Sequence, residues 1–274
     1  MSSNAYQAEN GSPRLLPSVV AFLDILGFNQ EMRTSHAAGQ SDALLQRMTR
    51  VVREWYASMR DRPQSDEHHR RIWELKAFTD NVVLGYPINW NGEAEFGYLI
   101  SDIALLQVGL AHEGFFVRGG VAAGDLYMDE DIVFGVGLLD AYEAERKAVW
   151  PRIMLAESAV ELVKRHLSYY ASVEISPQNR ALLIDEDDRL FVNYLDCSWP
   201  DRTEPPFFDW LAKHRDSLAG KLERHGADLQ VWAKYLWAAR YHNYFCESIP
   251  GGEAYIIDVR PTAHRPKCLQ DFDL

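Results

Sequence analysis

The spacing of apolar residues divides the chain into strands and helices before any chemistry is considered. Ser18 to Leu23 (SVVAFL) is a short, partly β-branched apolar run ending at Asp24, the pattern of a buried strand. Gly27 marks a turn, and a helical stretch follows. From Asp42 to Met59, Leu45, Met48, Val52, Trp55 and Met59 recur at three- and four-residue steps, which predicts an amphipathic helix. Arg62 to Arg70 reads as a polar loop. Ile72 to Phe78 and Val82 to Tyr86 read as strands around Thr79-Asp80-Asn81, residue types that favour a tight turn. Glu95 to His112 predicts a second long helix, Phe115 to Ala123 a strand, Gly135 to Ala148 a helix and Pro151 to Leu155 a strand. The order strand, helix, hairpin, helix, strand, helix, strand describes an α/β (α+β) sandwich with its helices on one sheet face.

Beyond about Ser176 the pattern changes. Leu190 to Leu195 reads as a strand, paired with Ala181 to Ile184, and helices are expected near Phe207 to His225 and Asp228 to Glu247. The expected organisation is a flexible start over residues 1–17, a main domain over 18–175 and a strand-and-helix extension over 176–274. No internal repeat is present. Hydrophobic residues make up 47% of the 274, enough for a sizeable core. The net charge of −12 disfavours nucleic acid as a partner, yet a small anionic substrate is compatible with it where bound metal inverts the local charge. Cys197, Cys246 and Cys268 have no metal-ligand spacing and fit a reducing compartment. The polar start lacks a signal-peptide core, and no apolar run approaches the roughly 20 residues of a membrane span. A cytoplasmic protein with no membrane partner is expected.

Asp24 falls at the carboxyl end of a central strand, followed by a Gly-bearing turn into a helix, where free backbone N–H groups suit phosphate oxygens. Asp80 falls on a hairpin turn. If the two strands are neighbours, both carboxylates reach one sheet edge and supply hard oxygen ligands for Mg²⁺ or Mn²⁺ with a triphosphate completing the shell. That chemistry permits in-line attack of a ribose 3′-oxygen on the α-phosphorus. The plainer reading of each aspartate is a turn former or helix cap.

The surroundings of both residues resemble class III nucleotidyl cyclases. Phe22-Leu23-Asp24-Ile25-Leu26-Gly27-Phe28 is similar to the first metal-binding segment of that family, and Lys76-Ala77-Phe78-Thr79-Asp80 to the second. Arg118-Gly119-Gly120-Val121-Ala122-Ala123-Gly124 is similar to a third motif, and Gly135 to Glu145 loosely to a fourth. The order and separations agree from Ser18 to Ala156. Within the superfamily the chain looks like the bacterial pyrimidine cyclases of Pycsar antiphage systems, through Asp24 to Phe28, Arg118-Gly119-Gly120, Gly135 to Glu145 and Pro151-Arg152-Ile153. The resemblance implies a ferredoxin-like sheet, a homodimer with active sites at the subunit interface, and conversion of UTP to cyclic UMP, with CTP as the alternative. It implies that the product activates a downstream effector. It also implies that Asp24, Asp80 and the Ile25 carbonyl hold two Mn²⁺ or Mg²⁺ ions, and that Leu26, Gly27 and Phe28 offer N–H groups to the triphosphate.

The chain departs from the family where purine cyclases carry an Asn and an Arg on the fourth-motif helix: Leu139 and Glu143 stand there and can do neither job. Arg118, Arg146 and Arg152 are the candidates for stabilising transition-state charge, with Arg118 first because a strand fixes its geometry. Lys76 either contacts the base or snorkels at a strand edge. Phe78 and Phe134 either pack in the core or narrow the base pocket. The departures leave an inactive cyclase-like binding module as a rival, and a palm enzyme that joins two nucleotides shares the two-metal geometry. His36, His68, His69, His112 and His166 have no spaced partners, Asp185 to Asp188 reads as a solvated turn, and the aromatic final helix reads as packing.

Overall fold

The computed structural model describes residues 4–8, 10–60, 73–259 and 265–271. The polar loop with His68 and His69, and Ile72, lie outside them. The chain opens with β1 (Leu16–Ile25), α1 (Phe28–Ala37) and α2 (Ser41–Arg60), then the hairpin of β2 (Glu74–Phe78) and β3 (Asn81–Pro87). α3 (Glu93–His112), β4 (Val117–Met128), β5 (Val133–Phe134), α4 (Val136–Lys147), β6 (Ile153–Leu155) and α5 (Glu157–Leu167) follow. The remainder holds α6 (Pro177–Ala181), β7 (Leu182–Ile184), β8 (Leu190–Val192), α7 (Phe208–Arg224), α8 (Leu229–Glu247) and β9 (Lys267–Cys268).

The sheet runs β2-β3-β1-β4-β6-β8-β7-β9, with β5 beside β4. Its first four strands with the helices between them form the β-α-β-β-α-β arrangement of a ferredoxin-like sheet. β1 lies between β3 and β4, antiparallel to both. Its alternate residues Val19, Ala21, Leu23 and Ile25 join the large core with α2, α3, α7 and α8, while Val20 and Phe22 join a second core with Ala141 of α4. A strand buried on both faces needs apolar residues at successive positions, which is why SVVAFL reads as a continuous run.

Helices therefore occupy both faces of the sheet, against the expectation of one. The reason lies in the glycines of β4. A Cβ at Gly120 would stand 2.0 Å from the Ala141 carbonyl oxygen and 2.7 Å from the Ala144 Cβ, and one at Gly124 would stand 3.0 Å from the Gly137 nitrogen. The backbone of α4 rests directly on β4 at positions where no side chain intervenes.

Two further expectations change. The segment before β1 is not merely a flexible lead, because Tyr6 is fully buried in the second core. One aromatic in a polar stretch suffices for that, and carries no periodicity to announce it. The acidic run is not simply a solvated turn either. Asp185 is buried, pairs with the buried Arg152 guanidinium and accepts a 2.9 Å hydrogen bond from Trp237 Nε1 on α8. That contact fastens the final helices to the strand end before β6, and the expected strands of the C-terminal extension, β7 and β8, join the main sheet beside β6. Against the expectation of no such segment, α3 is long and apolar enough to cross a membrane by length and composition, and it is mostly buried in this fold.

Replacing Gly120 by alanine forces α4 off the sheet or strains β4, and the expected cost is about 2–3 kcal/mol of unfolding free energy. Urea denaturation of Gly120→Ala beside Gly220→Ala, whose added Cβ meets nothing within 4 Å, checks it; equal midpoints for the two variants would refute the close approach.

Candidate active site

β1 ends at the site. Asp24 pairs in register with Arg118 of β4 on one side and Asn81 of β3 on the other. Residues that face each other across a ladder point to the same side of the sheet, so Arg118 joins Asp24 on the α4 face. Lys76 and Phe78 of β2 stand opposite Val83 and Asn81, which stand opposite Phe22 and Asp24, and so point the same way. The β2–β3 turn bends back to this point: the Ile25 N–H donates to the Asp80 carbonyl at 3.0 Å. The two aspartates expected from sequence to share an edge do share it.

The turn is itself strained. Thr79 sits at φ 52°, a left-handed conformation that a β-branched residue seldom adopts. Strain of this kind persists where the surroundings over-determine the backbone, and it concentrates at functional sites. Asp80 Oδ1 accepts from Asn81 Nδ2 at 3.2 Å and lies 2.8 Å from Thr79 Oγ1. Its Oδ2 takes no hydrogen bond from the described residues.

Arg118 binds the acids together. Its Nε donates to Asp24 Oδ2 at 3.0 Å and lies 2.8 Å from Glu145 Oε1 of α4. A guanidinium Nε carries one hydrogen, and Asp24 receives it. Glu145 Oε1 is thus ion-paired but without a hydrogen bond, although it is buried. Burial pushes the Asp24 carboxyl above its ordinary range; Arg118 draws it back, and nearby Asp80 raises it again. Glu145 is raised likewise, by burial first, against the pull of Arg118 and with the push of Asp24. The two terminal nitrogens of Arg118 make no hydrogen bond within the described residues, and the side chain is 31% exposed.

Several expected contributors stand elsewhere. The Leu26 N–H is occupied by the Phe116 carbonyl at 2.8 Å and cannot serve a phosphate. Gly27 at φ 73° caps α1 without a side-chain acceptor, so the amides of Gly27 and Phe28 keep the expected role open. Lys76 Nζ donates to the Glu130 carbonyl. Phe78 and Phe134 are 48% and 63% exposed, which removes both from the core. Arg152 is buried against Asp185 and Asp187 and is excluded from the site; Arg146 stacks over Tyr142. Leu139 is exposed, as is Glu143 on the same helix.

Glu145 was not singled out as a site residue from the sequence. It lies four residues after Ala141 and next to Ala144, all three on the buried side of α4, where an acid interrupts small residues. That interruption is the signal that would have found it.

Among the described residues no three or more His, Cys, Asp or Glu side chains converge as a metal cage. Asp24 and Asp80 each keep one carboxylate oxygen without a hydrogen bond in the described residues, and hard dications are commonly held by one or two carboxylates with the substrate's phosphates supplying the rest. The donor set fits Mg²⁺ or Mn²⁺.

No protein-family model matches the chain, and no curated protein matches it. Among solved structures it is similar to a class III adenylyl cyclase-like ATP-binding protein from Pseudomonas aeruginosa, at 12% identity and a TM-score of 0.41. That overlap covers 59% of this chain and 39% of the other, so the chain spans well under half the length of the protein it matches. The chemistry of the site rests on its own residues.

A buried carboxyl with a raised folded-state pKa binds its proton more tightly in the folded than in the unfolded chain, so its contribution to stability is present at low pH and lost as pH rises through the folded value. Glu145→Gln removes that loss. The variant is expected to gain stability over the parent at pH 7 and to forfeit the gain toward pH 4, read by urea denaturation across that range. A variant less stable than the parent at pH 7 would mean that the pull of Arg118 outweighs burial.

Proposed function

We propose that this chain is a pyrimidine nucleotide cyclase that converts UTP to cyclic UMP and pyrophosphate in the cytoplasm, its product activating an effector in antiphage defence. The observation that carries the chemistry is the hydrogen bond from Ile25 to the Asp80 carbonyl, which sets Asp80 beside Asp24 at the end of the central strand. The pyrimidine and defence assignments rest on the likeness of the motifs from Asp24 to Arg152 to that cyclase group.

Asp24, Asp80 and the Ile25 carbonyl would hold Mn²⁺ or Mg²⁺. When bound, two such ions lower the pKa of the ribose 3′-hydroxyl and neutralise the departing pyrophosphate. The chain's own residues do the remainder. Gly27 and Phe28 direct N–H groups at phosphate oxygens, helped by the positive end of the α1 dipole. Arg118, anchored through Nε, turns its terminal nitrogens to the charge that develops on the α-phosphate. Lys76, once released from the Glu130 carbonyl, donates and cannot accept. It therefore suits the O4 acceptor of uracil over the amino group of cytosine, which is why UTP is placed ahead of CTP.

Homodimerisation through α4 belongs to the same proposal. Val136, Leu139 and Tyr142 expose apolar side chains along α4, which covers the sheet face that carries Asp24 and Arg118, and Phe134 is exposed on the neighbouring β5. A second reading, a module that binds nucleotide without turnover, is favoured by Leu139 and Glu143 and by the capture of Arg118 between two carboxylates.

Incubation with Mn²⁺ and each of the four nucleoside triphosphates, with products identified by mass, tests the reading. Cyclic UMP is the expected product, and Asp80→Asn should lower turnover by about 100-fold or more without shifting the melting temperature. Nucleotide binding with no product from any triphosphate would favour the silent module, and a dinucleotide product would reassign the reaction. Leu139→Glu is expected to convert a dimer to monomers in sedimentation velocity and to abolish turnover; an unchanged sedimentation coefficient with full activity would remove α4 from the interface.

A further inference from the structure

The molecule carries an acidic surface, yet one cleft beside the β1 end is cationic. α1, α2, α7 and α8 enclose a space of about 730 Å³, bordered by Leu26, Gly27 and Phe28, the residues that follow the Asp24 strand. That volume lies within the range of small-molecule sites, roughly 300–1,000 Å³. Arg47 of α2, Lys221 and Arg224 of α7, and Lys234 of α8 line it, and Glu31 of α1 is the one acid in its wall.

Glu31 does not neutralise the group. It lies 3.5 Å from Arg47, 3.7 Å from Lys221 and 3.7 Å from Arg224, each an ion pair at or beyond the limit of hydrogen bonding. Arg47 also donates to the Glu113 carbonyl at 3.1 Å and stacks over Phe115, which fixes its direction. Lys234 makes no ion pair among the described residues. Lys221 is only 13% exposed, and burial, with Arg224 and Arg47 adding to it, draws its amine below the ordinary value against the pull of Glu31. Three helices thus converge four cations on a concave surface, and an anion there would relieve the burial and repulsion that bear on Lys221. The amides at the start of α1 border the same space without a side-chain cap.

We infer that this cleft is a polyphosphate-binding site, with its cations supplied chiefly by the C-terminal helices, and that it holds the β- and γ-phosphates of the nucleotide whose α-phosphate lies at Asp24 and Asp80. Naming a nucleotide as the source rests on the cyclase reading; the anion chemistry rests on the cleft. The spread of four cations over α2, α7 and α8 matches a chain of phosphates better than a single one. This gives the segment beyond residue 176 a part in substrate binding.

Calorimetric titration of the full chain with sodium tripolyphosphate in the presence of Mg²⁺ tests the inference. Tripolyphosphate should bind at least about 100-fold more tightly than orthophosphate, and Lys234→Gln should weaken it about tenfold, with a smaller dependence on salt. Lys234 is the informative position because it makes no ion pair among the described residues; a thermal melt confirms the fold. No tripolyphosphate binding, or equal affinity in Lys234→Gln, would overturn the site. UTP turnover separates the two proposals. Lys234-dependent tripolyphosphate binding without cyclic product from any triphosphate keeps the cleft and removes the cyclase. Cyclic UMP formed with an unchanged KM in Lys234→Gln keeps the cyclase and removes the cleft.

Discussion

The closeness of α4 to β4 is the constraint from which the site follows. Helix and strand meet backbone to backbone because Gly120 and Gly124 offer no Cβ, and Gly137 and Ala141 answer them with little or none. A helix riding on ordinary side chains would stand several ångströms higher, and a glutamate on its inner stripe would end in mid-core. At this distance Glu145 instead reaches Arg118, which already pairs with Asp24 across the β1–β4 ladder. Small residues thus set the geometry, and the charges occupy the space that geometry leaves.

Period-two and helical patterns carry most of the fold because each strand or helix of the first half has a face it must bury. β1, α2, α3 and β4 were legible within a few residues for that reason. The site was legible where a residue's role depends on its own strand: Asp24 at the end of β1, Asp80 in a two-residue turn, Arg118 at the start of β4. It was illegible where the role depends on a partner far away in sequence. Nothing near Leu26 says that Phe116 will take its N–H, and nothing near Arg152 says that Asp185 and Asp187 will bury its charge. The cations of α7 and α8 belong to the same class. Each reads as an ordinary solvated lysine or arginine until the helices are folded back onto α1.

Charge is sorted about the end of β1. Carboxylates collect on the α4 face and cations in the cleft on the side of α7 and α8, with Leu26, Gly27 and Phe28 between them. The two groups sense each other, since Lys234 lowers the Asp24 pKa while Asp80 raises it. On the proposed reading, an acidic half suited to dications and a basic half suited to anions would be complementary to a single ligand, a metal-bound phosphate chain. Either half alone would be consistent with ordinary surface electrostatics; their adjacency across one turn is what favours a shared occupant.

Arg118 sits at the balance point of this arrangement. At rest its one Nε–H goes to Asp24, and Glu145 Oε1 is left buried without a hydrogen bond. Such an atom costs about 1–3 kcal/mol, so the resting state is not the best-satisfied state of these three side chains. Cations held between Asp24 and Asp80 would weaken the claim of Asp24 on the Nε–H and leave that hydrogen to Glu145. On the proposed reading, loading the acids would let Glu145 hold the arginine, a part for its burial beneath α4 that stability alone does not supply.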